Sequence, residues 1–432
     1  MEKYDVLIIG GGLTGLAAAR RCSLKGLSTV VVADSPGSLP HTSGAIDLLA
    51  VFPTETKRNR NRPWEALSEL IEQSPDHPYA RVGIRSIMES ISDFTNYLGS
   101  SRLEYYKRDK ENINIITSAG TVKPTYCVPG SMRANVDALE RRLPTLILGF
   151  TGLVDFSPEQ VAGNLRDRWP GIRAGRLDLK DILDQNIRMS IPRLVQEFSR
   201  PRFREKFAEL AMPIIGQAKY LGLPAVLGTG EVAEILQDLQ QRLSVKIFEI
   251  PSMSPSPPGD RLASLLRKDL ESSGVELWAG APIAKLDFKK NTITAIRTGR
   301  ERSQKIDARH VILATGRFFG GGLVADRKKV REPLVGIPIQ SPTCRDDWHM
   351  NTFLGAPGHP INRVGVNIDG AMRPVSEDFS VLYDNLFAAG AILANHDWVR
   401  EKSGAGISIA TGYAAVDSIL EHSHSGRMGA GT

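Results

Sequence analysis

Tyr4-Asp5-Val6-Leu7-Ile8-Ile9-Gly10-Gly11-Gly12-Leu13-Thr14-Gly15 is the stretch on which the fold turns. Residues 4–9 form a largely apolar run that ends in glycines, the pattern of a strand buried on both faces of a parallel sheet. A helix follows over 13–25, with Gly26 as its stop, and residues 28–32 read as a second strand. Gly10, Gly12 and Gly15 supply the GxGxxG spacing. The first allows a tight turn, the second a close backbone approach to a pyrophosphate, and the third close packing of helix on sheet. The amides of Leu13 and Thr14 at the helix start attract phosphate charge. Asp34 lies 19 residues beyond Gly15, where an acid accepts from ribose hydroxyls. Glycine spacing alone is weak; strand, glycine loop, helix, strand and acid in that order make a dinucleotide-binding βαβ unit.

The wider composition agrees with a large globular protein. The chain has 432 residues, 41% hydrophobic and 24% charged, and a mean hydropathy of −0.17. Those values exclude a disordered chain, and no apolar run approaches the roughly 18 residues a membrane-spanning helix needs. Length predicts two to three domains. A net charge of +6 permits an anionic partner without selecting one, and no nucleic-acid motif accompanies it. The basic run at 57–62 reads as a solvated loop. Three scattered cysteines, Cys22, Cys127 and Cys344, exclude a disulfide framework, predict a reducing, cytoplasmic compartment and leave too few ligands for an iron–sulfur cluster. No metal site is expected.

The expected fold class is α/β, a Rossmann-like FAD/NAD(P)-binding domain with an inserted smaller α/β cap domain. Residues 1–55, 255–335 and 375–425 are assigned to the binding domain, 56–254 and 336–374 to the cap, and 426–432 to a flexible tail. Strands are expected at 145–150, 223–227 and 245–250, and helices at 158–168, 187–212 and 232–243. The Pro- and Ser-rich segment 251–259 reads as an interdomain linker.

Two later turns favour a flavin over a nicotinamide cofactor. His310-Val311-Ile312-Leu313-Ala314-Thr315-Gly316 and Asn385-Leu386-Phe387-Ala388-Ala389-Gly390 resemble the later sheet segments of the glutathione-reductase-like flavoprotein superfamily, where such turns pass beside the cofactor. Ser403-Gly404-Ala405-Gly406 opens a helix whose N-terminus suits negative charge on a reduced isoalloxazine. Gly390, Gly404 and Gly406 are therefore cofactor candidates beside Ala314, Thr315 and Gly316, and so are Ser43 and Gly44 in the stretch after the second strand. His41-Thr42 is similar to the histidine site of covalent flavin in succinate dehydrogenase-like enzymes, although a polar contact is the commoner role of a loop histidine.

Taken together, these pieces resemble the B subunit family of bacterial anaerobic glycerol-3-phosphate dehydrogenase. The match runs through the N-terminal glycine loop, Ser43-Gly44 with Asp47-Leu48-Leu49, and residues 151–156, 257–262 and 318–333. It continues through Gly365-Val366 with Asp369 and Arg373-Pro374, and Leu386-Phe387-Ala388. The resemblance implies a flavoprotein subunit that oxidises sn-glycerol 3-phosphate to dihydroxyacetone phosphate. Electrons would pass through partner subunits of the A (flavoprotein) and C (iron–sulfur, membrane-anchoring) type to menaquinone, and on to fumarate or nitrate. It also implies a peripheral position on the inner face of the cell membrane through the partner.

Such chemistry needs a base for the hydroxyl proton and cations for the phosphate dianion. Arg317, Arg327 and Arg331 are the phosphate candidates. His41, His359 and Arg331 are the catalytic candidates, and His310 at a strand start reads as structural. Family usage implies FMN, whereas the dinucleotide fingerprint implies FAD; both stand at this point. Two other functions stay open: a non-catalytic flavin relay or scaffold subunit, and a succinate/fumarate-type flavin reductase of another small acid.

Overall fold

A computed structural model describes residues 3–183, 188–252, 255–299 and 305–428. The chain divides into two compact units, Met1–Ser38 with Asp47–Phe94 and Ser264–Thr432, and Leu39–Ile46 with Thr95–Ala263.

The first unit is built on a parallel sheet. β1 (Lys3–Ile9), α1 (Leu13–Leu24) and β2 (Thr29–Ala33) form the N-terminal βαβ. The strand order is Glu276–Ala279, β2, β1, Lys305–Leu313, with Leu386–Ala388 pairing beside the last. Ile9 pairs with both Val32 and Leu313, and Leu313 with Ala388. The carboxyl ends of four strands therefore stand level, and the Gly10, Ala314 and Ala389 amides continue the ladder onto Val32, Ile9 and Leu313 carbonyls at 2.9, 2.9 and 3.1 Å. Ligands of such sheets bind beyond this edge. Two antiparallel strands, Ile283–Lys289 and Thr292–Thr298, extend from the early part of Lys305–Leu313.

Helix α1 packs on the long C-terminal helix, Gly404–Met428. A side chain at Gly412 would come within 3.0 Å of the Thr14 carbonyl, so the glycine lets the two backbones approach. Arg21 forks onto Asp417 at 2.9 and 3.0 Å.

The second unit has its own four-stranded parallel sheet, ordered Lys246–Ile250, Tyr220–Pro224, Thr145–Phe150 and Ile172–Leu177. Helices Pro158–Leu165, Pro201–Ile215 and Val232–Leu243 enclose an aromatic core in which Phe198 lies 6.2 Å from Phe150 and 5.0 Å from Phe207. Ser157 accepts from the Gln160 amide at 3.2 Å and proline follows it, a local start signal the sequence spells out.

The expected α/β class holds, with a smaller α/β unit inserted in the chain, and five local expectations change. Residues 56–94 and 336–374 lie in the first unit, whereas 39–46 and 255–263 lie in the second. The strand expected at 223–227 is Tyr220–Pro224. The helix expected over 187–212 is two, Ile191–Phe198 and Pro201–Ile215, the second opened by its proline; residue 187 lies outside the described residues. Residues 257–259 of the expected linker open helix Pro257–Ser272, because proline lacks only an amide hydrogen that a first helical turn leaves unused; residues 253–254 lie outside the described residues. Residues 426–428, expected in a tail, continue the C-terminal helix; residues 429–432 lie outside the described residues.

Candidate cofactor and substrate site

The glycines at the sheet edge do different work. Gly10 has φ +125°, and a Cβ there would lie 2.2 Å from the Ala314 carbonyl oxygen. At Gly15 the obstacle is the Gly10 carbonyl at 1.9 Å, and at Gly390 (φ +81°) the Thr14 hydroxyl at 2.0 Å. These three are required by the protein's own packing. Around Gly12 nothing lies within 4 Å of the position a Cβ would take. It occupies the N-cap of α1 with φ −81° and no side-chain cap, so the first amides of α1 have no capping side chain. An open, side-chain-free backbone at a helix start is the feature a pyrophosphate needs. Asp34 follows directly on β2 and is exposed. The residues present therefore fit a dinucleotide.

The turn after Leu313 is equally compact. Gly316 has φ +72°, and side chains at Gly320 and Gly322 would collide with the Thr315 and Gly316 carbonyls at 2.4 and 2.0 Å. At the C-terminal helix, the Gly406 amide already donates to the Asp47 carbonyl at 2.7 Å, and its Cα leaves room for the Tyr79 hydroxyl. The helix start is thus partly engaged by the protein. Ser43 and Gly44 belong to the second unit, where Tyr105 donates to the Gly44 carbonyl at 2.6 Å.

The candidate arginines differ in exposure and in partners. Arg317 is partly buried and turned onto backbone carbonyls, Leu393 at 2.9 Å and His396 at 3.1 Å, with Asn362 closer still. Burial lowers its guanidinium to about 10. Arg327 and Arg331 stand exposed on the hairpin of Val324–Ala325 and Val330–Arg331.

The candidate histidines fare similarly. His41 is exposed in the short turn Leu39–His41 of the second unit. His359 accepts from the Met350 amide at Nδ1 (3.0 Å) and directs Nε2 at the Phe353 carbonyl (2.9 Å). Both ring nitrogens are committed, so His359 ties a loop together and leaves neither free to take a substrate proton. His310 packs edge-on to Phe387 at 6.0 Å, consistent with a structural role.

Sequence reasoning missed a polar cluster between these segments. His77 is buried; its Nδ1 accepts from the Tyr79 amide at 3.1 Å, leaving Nε2 to donate to Glu401 at 3.3 Å. Glu401 also accepts from the Ser403 hydroxyl at 2.7 Å and the Asp397 amide at 2.8 Å. Burial alone would raise this carboxyl, but His77, His396 and Ser403 outweigh it and hold it at about 2. His396 is fully buried beside Arg317, and burial with that positive neighbour holds its imidazole well below the usual range. The signal was the density of polar residues in His396-Asp397-Trp398-Val399-Arg400-Glu401 just before the glycine-opened helix; their burial was not visible in the sequence.

A family model described as "FAD binding domain" matches residues 5–407. The B subunit of anaerobic glycerol-3-phosphate dehydrogenase from Vibrio cholerae is 30% identical over 443 residues, spanning 97% of both chains. A probable B subunit of the same dehydrogenase from Halobacterium salinarum is 31% identical, covering 97% of this chain and 98% of its own. The chain is an FAD-binding member of the B subunit family of anaerobic glycerol-3-phosphate dehydrogenase. For a protein of this family the flavin is FAD, as the fingerprint predicts; the FMN expectation finds no support. The family is one of flavin-dependent oxidoreductases. A 3-ketosteroid Δ1-dehydrogenase from Sterolibacterium denitrificans superposes on the chain with a TM-score of 0.47 at 14% identity, covering 98% of this chain and 100% of its own. Among the described residues no helix is long and apolar enough to cross a membrane.

Proposed function

We propose that this chain binds FAD through Gly10–Gly15 and Asp34 and serves a multi-subunit dehydrogenase that oxidises sn-glycerol 3-phosphate to dihydroxyacetone phosphate. The observation that carries the cofactor reading is the open backbone at Gly12, flanked by glycines that the protein itself requires. The substrate reading rests on the family relationship over nearly the whole chain. When bound, the flavin supplies the acceptor for the hydride leaving C2 of the substrate. The protein's part is to hold the pyrophosphate on the α1 amides, the ribose on Asp34, and the substrate with its hydroxyl proton and phosphate charge. Electrons then leave through A- and C-type partner subunits toward menaquinone, with the chain held at the inner membrane face by its partner.

The test is anaerobic addition of sn-glycerol 3-phosphate to the FAD-loaded chain, alone and assembled with its partners, while flavin absorbance is followed. Bleaching in either form supports the proposal, and a fully loaded assembly that stays oxidised and reduces no dye overturns it. A second reading, a flavin relay whose partner oxidises the substrate, is favoured by one observation. His359 is committed at both nitrogens, and Arg317 is turned onto backbone carbonyls while Arg327 and Arg331 face solvent. Bleaching of the isolated chain by substrate would eliminate that reading.

A further inference from the structure

Four cations crowd one small hairpin of the first unit. Its arms, Val324–Ala325 and Val330–Arg331, pair antiparallel, and the Asp326 amide donates to the Lys329 carbonyl across the turn at 3.1 Å. Asp326 Oδ1 accepts from the Lys328 and Lys329 amides at 2.7 and 3.0 Å, the turn-closing bonds that a short carboxylate at a first position favours. The hairpin's one carboxylate is thus drawn onto its own backbone. Arg327, Lys328, Lys329 and Arg331 stand exposed, and none forms a salt bridge among the described residues. Val330 is buried at the root, which fixes the display.

An apolar loop lies close by. Arg345 donates to the Asp326 carbonyl at 3.1 Å and lies over the Trp348 ring at 5.0 Å, tying the turn Arg345–Trp348 to the hairpin. Met350 is five residues beyond Arg345, and therefore within about 18 Å of it. Met350, Phe353 and Leu354 are 48, 80 and 74% exposed. His359 holds this loop at both ends, through the Met350 amide and the Phe353 carbonyl, so the apolar side chains are carried on a fixed backbone. Large apolar side chains gathered in the open mark an interaction surface. Asp346 and Asp347 on the intervening turn offset part of the charge; residues 324–331 and 345–354 together hold five cations against three carboxylates.

We propose that the hairpin and the loop form a docking surface for an anionic phospholipid bilayer. The cations meet headgroup phosphates, each attracted by the negative surface potential, and Met350, Phe353 and Leu354 enter the headgroup boundary. A bilayer fits better than an acidic protein, because protein interfaces are depleted in lysine. Fixing long side chains at a turn tip also costs side-chain entropy, which a fluid headgroup layer does not demand. Arg327 and Arg331 then serve lipid phosphate rather than substrate phosphate. In the function proposed above a partner holds the chain at the membrane. A direct contact goes beyond that reading and depends on neither FAD nor glycerol 3-phosphate.

The full chain is sedimented with vesicles of phosphatidylcholine, either alone or with about one-third phosphatidylglycerol. Binding is expected to the anionic vesicles only, and it should weaken as salt screens the charges. Replacing Arg327, Lys328, Lys329 and Arg331 together by Gln should weaken it by about fivefold for each cation removed. F353S/L354S should lose roughly tenfold. K57Q/R58Q removes two exposed cations from another loop of the same unit and should bind as wild type does. Equal binding to neutral vesicles, unchanged binding in the hairpin or the loop variant, or a matching loss in K57Q/R58Q overturns the proposal. Wild type that ignores both vesicles, with a hairpin variant that no longer assembles with its partner subunits, overturns it in favour of an acidic protein. Should the fourfold variant melt below wild type, R327Q/K328Q at the turn tip carries the test, with an expected loss of roughly 25-fold. Vesicle binding is read without turnover, so its outcome stands whichever way the glycerol 3-phosphate assay falls.

Discussion

Arg261 and Arg317 are both drawn inward, one in each compact unit, and they are satisfied to different degrees. In the second unit Arg261 forks onto Glu249 at 2.6 and 3.0 Å and gives its Nε to the Gly228 carbonyl at 2.8 Å. Glu249, completely buried, also accepts from Ser131 at 2.7 Å and the Leu227 amide at 2.8 Å. Burial would raise its carboxyl, but Arg261 and these donors hold it below the ordinary range. Arg317 instead spends its Nη hydrogens on carbonyls and leaves Nε unmet, next to a histidine with an unmet Nε2. A closed network fixes a chain in place; an open one keeps bonding capacity in hand for something else. That contrast separates an architectural device from a candidate site, although each is a buried cluster of charged groups.

The largest expected effect tests the closed network. Arg261→Leu alone strands the Glu249 carboxylate and should cost about 3–5 kcal/mol in urea unfolding of the second unit. Replacing both partners together by apolar residues of similar volume should recover most of that loss. If the double replacement is as damaging as the single one, the pair does more than hold the fold.

Acid titration probes the open cluster. Because Glu401 is depressed in the folded protein from 4.5 to about 2, its stabilisation is complete above about pH 4.5 and is lost as pH falls toward 2. The amount is about 3 kcal/mol. Glu401→Gln should flatten that part of the stability–pH curve measured by thermal melting; an unchanged curve would remove Glu401 from the cluster's energetics.

The glycine loop offers a sharper division between packing and binding. Gly10→Ala meets both a left-handed φ and the Ala314 carbonyl, and should lose stability and flavin together. Gly12→Ala meets no atom within 4 Å, and should stay within about 0.5 kcal/mol of wild-type stability while binding FAD more weakly. Equal FAD affinity in G12A would sink the cradle assignment.

The smallest effect is a rate of labelling. Burial pushes the Cys22 and Cys127 thiols up to about 12, one in each unit, whereas Cys344 is exposed. A neutral alkylating reagent should modify Cys344 at once in native protein and the other two only as their own units open. Simultaneous labelling of Cys22 and Cys127 across a urea series would show that the units unfold as one.

Much of the first unit was legible because its rules are local. Residues 4–34 carry strand, turn, helix, strand and acid in the order of a nucleotide-binding βαβ unit, and the structure reproduces that order, with Gly10 and Gly15 placed where any Cβ would overlap a backbone oxygen. The candidate site was legible only at its glycines. His41 and His359 were chosen for residue type and position in loops. Nothing local shows that His359 spends both nitrogens on its own loop, or that Arg317 turns inward while Arg327 and Arg331 face solvent.

By itself, then, the sequence determined the α/β class, the position of the glycine turn between the first strand and helix, and the family, because backbone geometry at glycines and apolar periodicity act over a few residues. Tertiary structure decided which polar groups meet. His77 and Glu401 are 324 positions apart along the chain, and Arg317 and His396 are 79 apart. Burial, tautomer and charge at those sites follow from neighbours brought together only when the sheet assembles.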